Sequence, residues 1–195
     1  TPALLLTTPH NPTGAILSES DIRELGQLAL QNDLWIISDE VYEDLVFSDT
    51  TFTSALVIPE IADRVIVVSS ISKSHAAPGF RSGWCIGPKD FTSRLLPLSE
   101  TMLFGNQPFI ADMTEAAVRN GSPVAAEMRR RFAARAEVLE GRLSTDPKLS
   151  VHRPEAGMFA LINVAGTGMN GDQYAAHLLE HGGVAVMPGS SFGLT

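Results

Sequence analysis

Three short apolar runs, each followed by polar residues, constrain the fold of this chain more than any other feature. The runs are LLL at residues 4–6, LWII at residues 34–37 and VIVV at residues 65–68. Short apolar runs between turn residues are typical of buried strands, and a helical spacing of apolar residues separates the first run from the second. Strands that alternate with helices predict an α/β domain with a mostly parallel sheet, in which GWCIG at residues 83–87 could supply a fourth strand.

Cap and turn residues divide the remainder of the chain into further predicted elements. Ser18 and Asp21 have the spacing of a capping box, which predicts that a helix begins there. Residues 125–143 carry apolar side chains at helical spacing and predict one long amphipathic helix. The elements predicted after it are a strand at residues 158–164, a helix at residues 172–180 and a strand at residues 184–187. This last part has the pattern of a second, smaller α+β unit.

The composition argues against several classes of protein. The chain carries 14 basic and 22 acidic residues, a formal net charge of −8, which argues against binding to nucleic acid or to anionic membranes. Its single cysteine, Cys85, excludes an internal disulfide framework and suits a reducing cytoplasm. No apolar run reaches the roughly 18 residues of a membrane span. The sequence also has no Cys and His at metal-ligand spacing and no glycine-rich dinucleotide fingerprint after a strand.

Chemically useful side chains follow each of the first three predicted strands. Asn11 comes after the first run, Asp39 after the second, and Ser70 and Lys73 after the third. In open parallel sheets, ligands bind outside the carboxyl ends of the strands. The strand order therefore predicts one ligand site that draws on all three segments.

Lys73 and Arg81 each have two interpretations. Lys73 is either a solvated loop lysine or an amine that bonds covalently to an aldehyde cofactor. Arg81 either pairs with a surface carboxylate or, beside Ser70 and Ser72, clamps a phosphate, because its planar fork matches phosphate oxygens. The residues alone leave these alternatives open.

The same holds for the residues at the ends of the first two strands. Asp39 is either a helix cap or a buried carboxylate that pairs with a protonated ring nitrogen. Tyr42, three positions later, is either a core aromatic or a donor to a cofactor oxygen. Asn11 is a natural turn residue, and its amide could also donate to that oxygen.

Three motifs occur along the chain: HNPTG at residues 10–14, DEVYEDLVF at residues 39–47 and SISKSHAAPGFRSGW at residues 70–84. In this order and spacing they resemble the class I aminotransferases, pyridoxal-phosphate enzymes of fold type I. The resemblance continues through the long predicted helix to PEAGMF at residues 154–159, so it covers essentially the whole chain. The third motif together with LFGNQPFI at residues 103–110 also looks like transaminases that pass an amino group from arginine or similar amino acids to pyruvate. The implied fold is a three-layer α/β architecture with the mostly parallel sheet of the pyridoxal-phosphate transferases, followed by part of a small α+β domain.

The resemblance implies a pyridoxal phosphate site with a role for each candidate residue. Asn11 and Tyr42 would hydrogen-bond to the phenolic oxygen of the cofactor, and Ser70, Ser72 and Arg81 would bind its phosphate. Asp39 would pair with the ring nitrogen, and Lys73 would bond covalently to the aldehyde. Lys73 would be the catalytic base that moves a proton from the substrate once an incoming amino acid has displaced it. Asp39 would keep the ring nitrogen protonated, so that the ring can accept an electron pair.

The implied activity is the transfer of an amino group from an amino acid to a 2-oxo acid, in a cytoplasmic homodimer. The chain begins at Thr1 without a methionine and ends in loop-like residues, so we expect a fragment. Residues 1–143 would form the C-terminal half of the large cofactor-binding domain with its linking helix, and residues 144–195 a partial small domain. Such a fragment is expected to be inactive alone, because sheet edges and a dimer surface are left uncovered.

Three rival functions remain open at this point. A fold-type I lyase or decarboxylase would use the same Lys73 and Asp39 and would differ in which bond at the substrate Cα breaks. The aminotransferase-like effector domain of a transcription regulator would be non-catalytic, and a DNA-binding helix-turn-helix upstream of Thr1 would favour it. The third rival is an α/β domain without a cofactor.

Overall fold

Six strands and six α-helices make up the part of the chain that this computed structural model describes, residues 2–47 and 50–194. The strands are β1 (Ala3–Thr7), β2 (Trp35–Asp39), β3 (Val65–Ser70), β4 (Gly83–Ile86), β5 (Ser150–His152) and β6 (Leu161–Asn163). The helices are α1 (Glu19–Gln31), α2 (Ile71–Ser74), α3 (Lys89–Leu103), α4 (Pro108–Asn120), α5 (Ala125–Leu143) and α6 (Gly171–His177). A π-helical turn, Leu178–Gly182, continues α6.

The first four strands form one sheet in sequential order. β1, β2 and β3 are parallel, whereas β4 returns antiparallel to β3. The connection from β1 to β2 runs through α1, as parallel neighbours need a long crossover, and the shorter connection from β3 to β4 permits the antiparallel return. The expectation of an α/β fold with a mostly parallel sheet is confirmed. The carboxyl ends of β1, β2 and β3 share one edge, which we call the carboxyl edge.

Branched apolar side chains make up most of the core between α1 and the sheet. Ile22 of α1, Ile36 of β2 and Val65 of β3 are fully buried in one cluster. Burial of each such side chain contributes about 1.5–3 kcal/mol. α1 begins where the sequence predicts, because Ser18 and Asp21 form the reciprocal hydrogen bonds of a capping box. These contacts fix the first crossover against the sheet.

The chain after α5 differs from the sequence prediction in several places. β5 and β6 pair as a small antiparallel sheet, although β5 was not predicted and β6 is shorter than the expected strand. α6 and its π-helical turn occupy the region of the predicted helix. The strand expected at residues 184–187 is wrong: no strand is described there, and Val184 and Met187 are 50% and 69% exposed. A short apolar run cannot form a strand without a hydrogen-bonded neighbour, and the described part of the chain places none beside it.

Residues 154–157 connect the small sheet to the carboxyl edge, and we call this segment the strap. The amide of Glu155 donates to the carbonyl oxygen of Gly14 at 3.0 Å, and the amide of Gly157 donates to the carbonyl oxygen of Leu45 at 3.0 Å. Gly14 has a φ of +72°, and a Cβ there would lie 2.5 Å from a side-chain carbon of the strap. Glycine is therefore required where the loop after β1 meets the strap.

Candidate cofactor site at the carboxyl edge

The carboxyl edge brings the ends of the three motif-bearing segments together. In the parallel register, Thr7 lies opposite Asp39, and Asp39 lies opposite Val68. Two backbone hydrogen bonds of 3.0 Å continue this pairing beyond the strands, from Thr8 N–H to the Asp39 carbonyl and from Glu40 N–H to the Val68 carbonyl. The loop after each strand therefore begins at the same edge.

Asp39 ends β2 with a half-buried carboxylate. Its Oδ1 accepts a hydrogen bond of 3.2 Å from the amide of Val41, which holds the carboxylate at the start of the next turn. An ionised carboxylate has acceptor sites on both oxygens, so this bond leaves capacity for a second donor. The side chain can therefore act as a local cap and as the partner of a protonated ring nitrogen.

Tyr42 and Lys73 lie next to each other at this edge. The Tyr42 side chain is 3% exposed, and its ring contacts the Phe159 ring edge-on at a centroid distance of 6.1 Å. The Lys73 Nζ is 5.9 Å from the centroid of the Tyr42 ring. Burial raises the pKa of the Tyr42 phenol, and the charge of Asp39 adds to the effect. The phenol therefore keeps its proton at neutral pH and can donate it in a hydrogen bond.

Lys73 stands in α2, a helix of a single turn. Ser70 is its N-cap, and the Ser70 Oγ accepts a hydrogen bond of 3.2 Å from the amide of Ser72. Lys73 and Ser72 are both half-buried. The cap orders the hydroxyl of Ser70 at the point where β3 becomes α2.

Asn11 carries an unsatisfied buried atom. Its Oδ1 is buried and has no hydrogen-bond partner among the described residues, and its peptide bond to Pro12 is cis. A buried acceptor without a partner costs about 1–3 kcal/mol, so such an atom needs an explanation. A group bound at this edge would supply one.

Arg81 lies close to Ser70 in the sheet register but is engaged elsewhere. Ser70 pairs with Gly83, two residues after Arg81. The Arg81 side chain is exposed, and its Nη1 donates a hydrogen bond of 2.9 Å to the carbonyl oxygen of Pro78. A contact of this guanidinium with a phosphate stays a prediction.

Two carboxyl groups behind the edge were missed by the sequence prediction. Glu40 is 1% exposed, and its Oε1 accepts hydrogen bonds from the Ser38 hydroxyl at 2.9 Å and the Ala55 amide at 3.1 Å. The Glu43 Oε1 accepts a hydrogen bond of 3.2 Å from the Ser69 hydroxyl. Burial raises the pKa of both carboxyl groups. They hold the turn after β2 against its neighbours.

The buried carboxyl of Glu40 should make stability depend on pH. Because its pKa is raised above the usual 4.5, the folded state binds the proton more tightly than the unfolded state does. The stability that it contributes is fully present below pH 4.5 and is lost as the pH rises through the raised pKa. Glu40→Gln keeps an acceptor oxygen but cannot titrate, so it should gain stability relative to the parent as the pH rises. The slope for one proton cannot exceed about 1.4 kcal/mol per pH unit.

Urea unfolding of the natural full-length protein between pH 4.5 and 8 measures this difference. The exposed Glu24→Gln is the matched control and should follow the parent. If the free energies of unfolding of the parent and Glu40→Gln change with pH in the same way, the buried carboxyl does not titrate as described.

Two further properties of the described residues bear on the site. They hold no group of three or more His, Cys, Asp or Glu side chains that could bind a metal ion. Within residues 2–47 and 50–194, no helix is both long enough and apolar enough to cross a membrane.

Comparison with known proteins identifies the family. The family model of the class I and II aminotransferases matches residues 1–195. A protein named arginine–pyruvate transaminase, from Pseudomonas aeruginosa, is 38% identical over 193 residues, which are 99% of this chain and 49% of that protein. An aspartate aminotransferase from Streptomyces avermitilis is 36% identical over 203 residues, 99% of this chain and 50% of that protein.

Solved structures share the fold. The crystal structure of an aromatic aminotransferase from Pyrococcus horikoshii matches with a TM-score of 0.92 and 28% identity, over 99% of this chain and 52% of that one. The chain thus spans about half the length of the relatives that it matches. Because the family model covers every residue, the chain belongs to the class I and II aminotransferases.

Proposed function

We propose that the natural protein containing this chain is a pyridoxal-phosphate-dependent aminotransferase, which moves an amino group from an amino acid to a 2-oxo acid. The observation that carries the proposal is the position of the Lys73 amine, 5.9 Å from the Tyr42 ring centroid at the edge where Asp39 ends β2. Membership of a pyridoxal-phosphate-dependent family supports it.

The groups at the carboxyl edge fit the chemistry of pyridoxal phosphate. The amine of Lys73 matches its aldehyde, and the carboxylate of Asp39 matches its protonated ring nitrogen. The buried Oδ1 of Asn11 is an acceptor without a partner among the described residues, and the phenolic hydroxyl of the cofactor is a donor that would satisfy it. The donors proposed for the phosphate are Ser70, Ser72 and Arg81.

Each residue has a defined task in this proposal. When bound, pyridoxal phosphate supplies an electron-withdrawing ring that accepts the electron pair released at the substrate Cα. Lys73 is the catalytic base that removes the proton from that carbon. Asp39 holds a proton on the ring nitrogen through a charge-assisted hydrogen bond. Tyr42, whose raised pKa keeps the phenol protonated, and Asn11 orient the ring by hydrogen bonds.

A panel of amino donors tests the proposal in the natural full-length protein. Arginine and aspartate are included because relatives are named for them, and pyruvate and 2-oxoglutarate are the acceptors. We expect one equivalent of new amino acid from the acceptor for each donor consumed. Release of carbon dioxide or ammonia without an acceptor would instead identify a decarboxylase or lyase. Failure to bind the cofactor, together with DNA binding, would identify an effector domain.

Exposed apolar side chains around the junction of α3 and α4 support a homodimer as part of the proposal. They are Met102 at 74%, Leu103 at 70%, Phe104 at 92% and Phe109 at 67% exposure. Clusters of this kind mark surfaces that another chain or segment covers. A monomeric mass in light scattering of the full-length protein would contradict the dimer.

The remaining expectations concern organisation and compartment. We propose that residues 1–143 belong to a large cofactor-binding domain and residues 144–195 to a small domain, because α5 ends at Leu143 and a separate sheet follows. Initial proteolytic cleavage inside α5 rather than after it would contradict this division. The single Cys85 and the net charge of −8 support a cytoplasmic protein without nucleic-acid or membrane partners, which cell fractionation would test.

A further inference from the structure

We infer that His75 is a positioning residue for Lys73, because its imidazole tethers the end of α2 to α4. The inference rests on the proposed function, in which the place of the Lys73 amine matters. The His75 Nδ1 is 2.8 Å from the Ser74 Oγ, and the Nε2 is 3.2 Å from the carbonyl oxygen of Ala117. Ser74 follows Lys73 directly, and Ala117 belongs to α4. One side chain thus joins the two elements.

α2 needs such external contacts because it is too short to hold itself. It has four residues, and the first turn of a helix is unfavourable until further turns or tertiary contacts stabilise it. The Ser70 cap fixes its beginning, whereas at its end the chain leaves through Ala76 with a φ of +50°. Within the chain, the end of α2 is closed by the amides of His75 and Ala76, which donate to the carbonyl oxygens of Ile71 and Lys73. A single turn gains further stability only from contacts with other elements.

The partners of His75 determine which ring nitrogen carries the proton. A backbone carbonyl only accepts, so the Nε2 must donate to Ala117. In the neutral ring the Nδ1 then accepts from the Ser74 hydroxyl, at 2.8 Å. That hydroxyl has one proton, and its other acceptor, the Ser70 carbonyl, is more distant at 3.3 Å. The ring therefore forms a continuous bridge from the end of α2 to α4.

The acceptor on α4 is a group that lacks a partner within its own helix. Ala117 is among the last four residues of α4, and the amide that follows the helix, that of Gly121, donates to Val118 rather than to Ala117. The Nε2–H of His75 satisfies the Ala117 carbonyl from outside. The tether thus completes the end of α4 while it holds α2.

A second contact shows that the end of α2 is held from two sides. The Ser122 hydroxyl donates to the carbonyl oxygen of Ser74 and accepts a hydrogen bond of 3.0 Å from the amide of Ala125, where α5 begins. Ser74 is 4% exposed, so water competes little for these bonds. Within this arrangement His75 supplies the contact to α4 and Ser122 the contact to α5.

Loss of the tether should lower turnover more than substrate binding. His75→Phe keeps an aromatic ring but removes both hydrogen bonds, and displacement of a reacting group by 1 Å can lower the rate by about 100-fold. We expect kcat to fall by about 10-fold to 100-fold with KM changed less than about 3-fold, because the displaced amine moves the proton. His75→Gln, whose amide can donate to Ala117, should stay within about 3-fold of the parent kcat.

The experiment uses the natural full-length protein and two readouts. The first is the split between kcat and KM. The second is the rate at which the cofactor-depleted protein develops the absorbance of bound pyridoxal phosphate, which reports on the Lys73 amine without turnover. His75→Phe should slow this uptake, and His75→Gln should restore it. His152→Phe, at an exposed position in β5, is the control and should match the parent.

Several outcomes would overturn the inference. The first is a kcat and a rate of cofactor uptake in His75→Phe that equal those of the parent. The second is an equal loss of kcat in His75→Gln and His75→Phe while the melting temperature is unchanged. If His75→Phe folds poorly, Ser74→Ala replaces it, and parental kcat and uptake in that variant would also overturn the tether. Loss of the covalent cofactor absorbance in Lys73→Ala together with an unaffected His75→Phe refutes only the role of His75. An unchanged covalent cofactor absorbance and turnover that survive in Lys73→Ala refute the proposed function itself.

Discussion

Lys73→Ala is expected to abolish the absorbance that arises from the covalent bond between Lys73 and pyridoxal phosphate, and to lower kcat by on the order of 10⁴-fold in the natural full-length protein. The variant removes the amine that lies 5.9 Å from the Tyr42 ring and leaves the methyl group of alanine, which can neither bond to the cofactor nor accept a proton. Visible absorbance after addition of the cofactor and steady-state turnover measure the two effects.

Lys89→Ala is the matched control for that variant. Lys89 is exposed at the first position of α3, so its replacement should leave absorbance and kcat as in the parent. An unchanged spectrum in Lys73→Ala would refute the assignment of this lysine as the one that holds the cofactor.

Asp39→Ala should lower kcat by about 10²-fold to 10⁴-fold while part of the cofactor remains bound. The carboxylate belongs to the last residue of β2, and its removal takes away the negative charge that favours a proton on the ring nitrogen. The proposed phosphate donors belong to other segments, so binding should be weakened rather than lost. Turnover and the cofactor content of the purified variant provide the measurements.

Two further variants show whether charge or local structure is responsible. Asp39→Asn can still accept the hydrogen bond from the Val41 amide but has no charge, so it should be nearly as slow as Asp39→Ala. The exposed Asp63→Asn should behave as the parent. Near-normal turnover in both Asp39 variants would show that this carboxylate is a cap alone.

Local patterns in the sequence predicted the elements that local contacts determine. α5 is observed at Ala125–Leu143, the range that its apolar spacing predicts. The capping box of Ser18 and Asp21 is likewise confirmed, because its partners are three residues apart. Spacing along the chain contains the information that such contacts need.

Elements that depend on distant partners were predicted less well. The apolar run at residues 184–187 was predicted to be a strand, yet pairing decides whether a strand forms and the described residues offer it no partner. β5 was missed because three residues with one apolar side chain show no pattern of their own. Its pairing with β6 is what makes it a strand.

In the site, too, the sequence predicted the features that follow from strand order but not those that depend on side-chain packing. The order of parallel strands predicted a shared edge, whereas the Arg81 bond to Pro78 and the unsatisfied Oδ1 of Asn11 depend on side-chain packing. The sequence did contain a pattern that indicates burial of Glu40. Ile36, Ser38 and Glu40 are two residues apart and therefore continue the same buried face of β2. The burial of Ser38 and Glu40 as polar groups needs the Ala55 amide, 15 residues away.

The strap has a consequence for how the protein folds during its synthesis on the ribosome. The amide of Ile16 binds the carboxylate of Glu155 at 3.2 Å, across a separation of 139 residues. At a synthesis rate of about 5–20 residues per second, the loop after β1 waits roughly 7–28 seconds for its partner. During that interval the nascent chain carries the loop around Asn11 without the strap. Translation order alone therefore prevents this edge of the sheet from acquiring its final contacts until residue 155 has been synthesised.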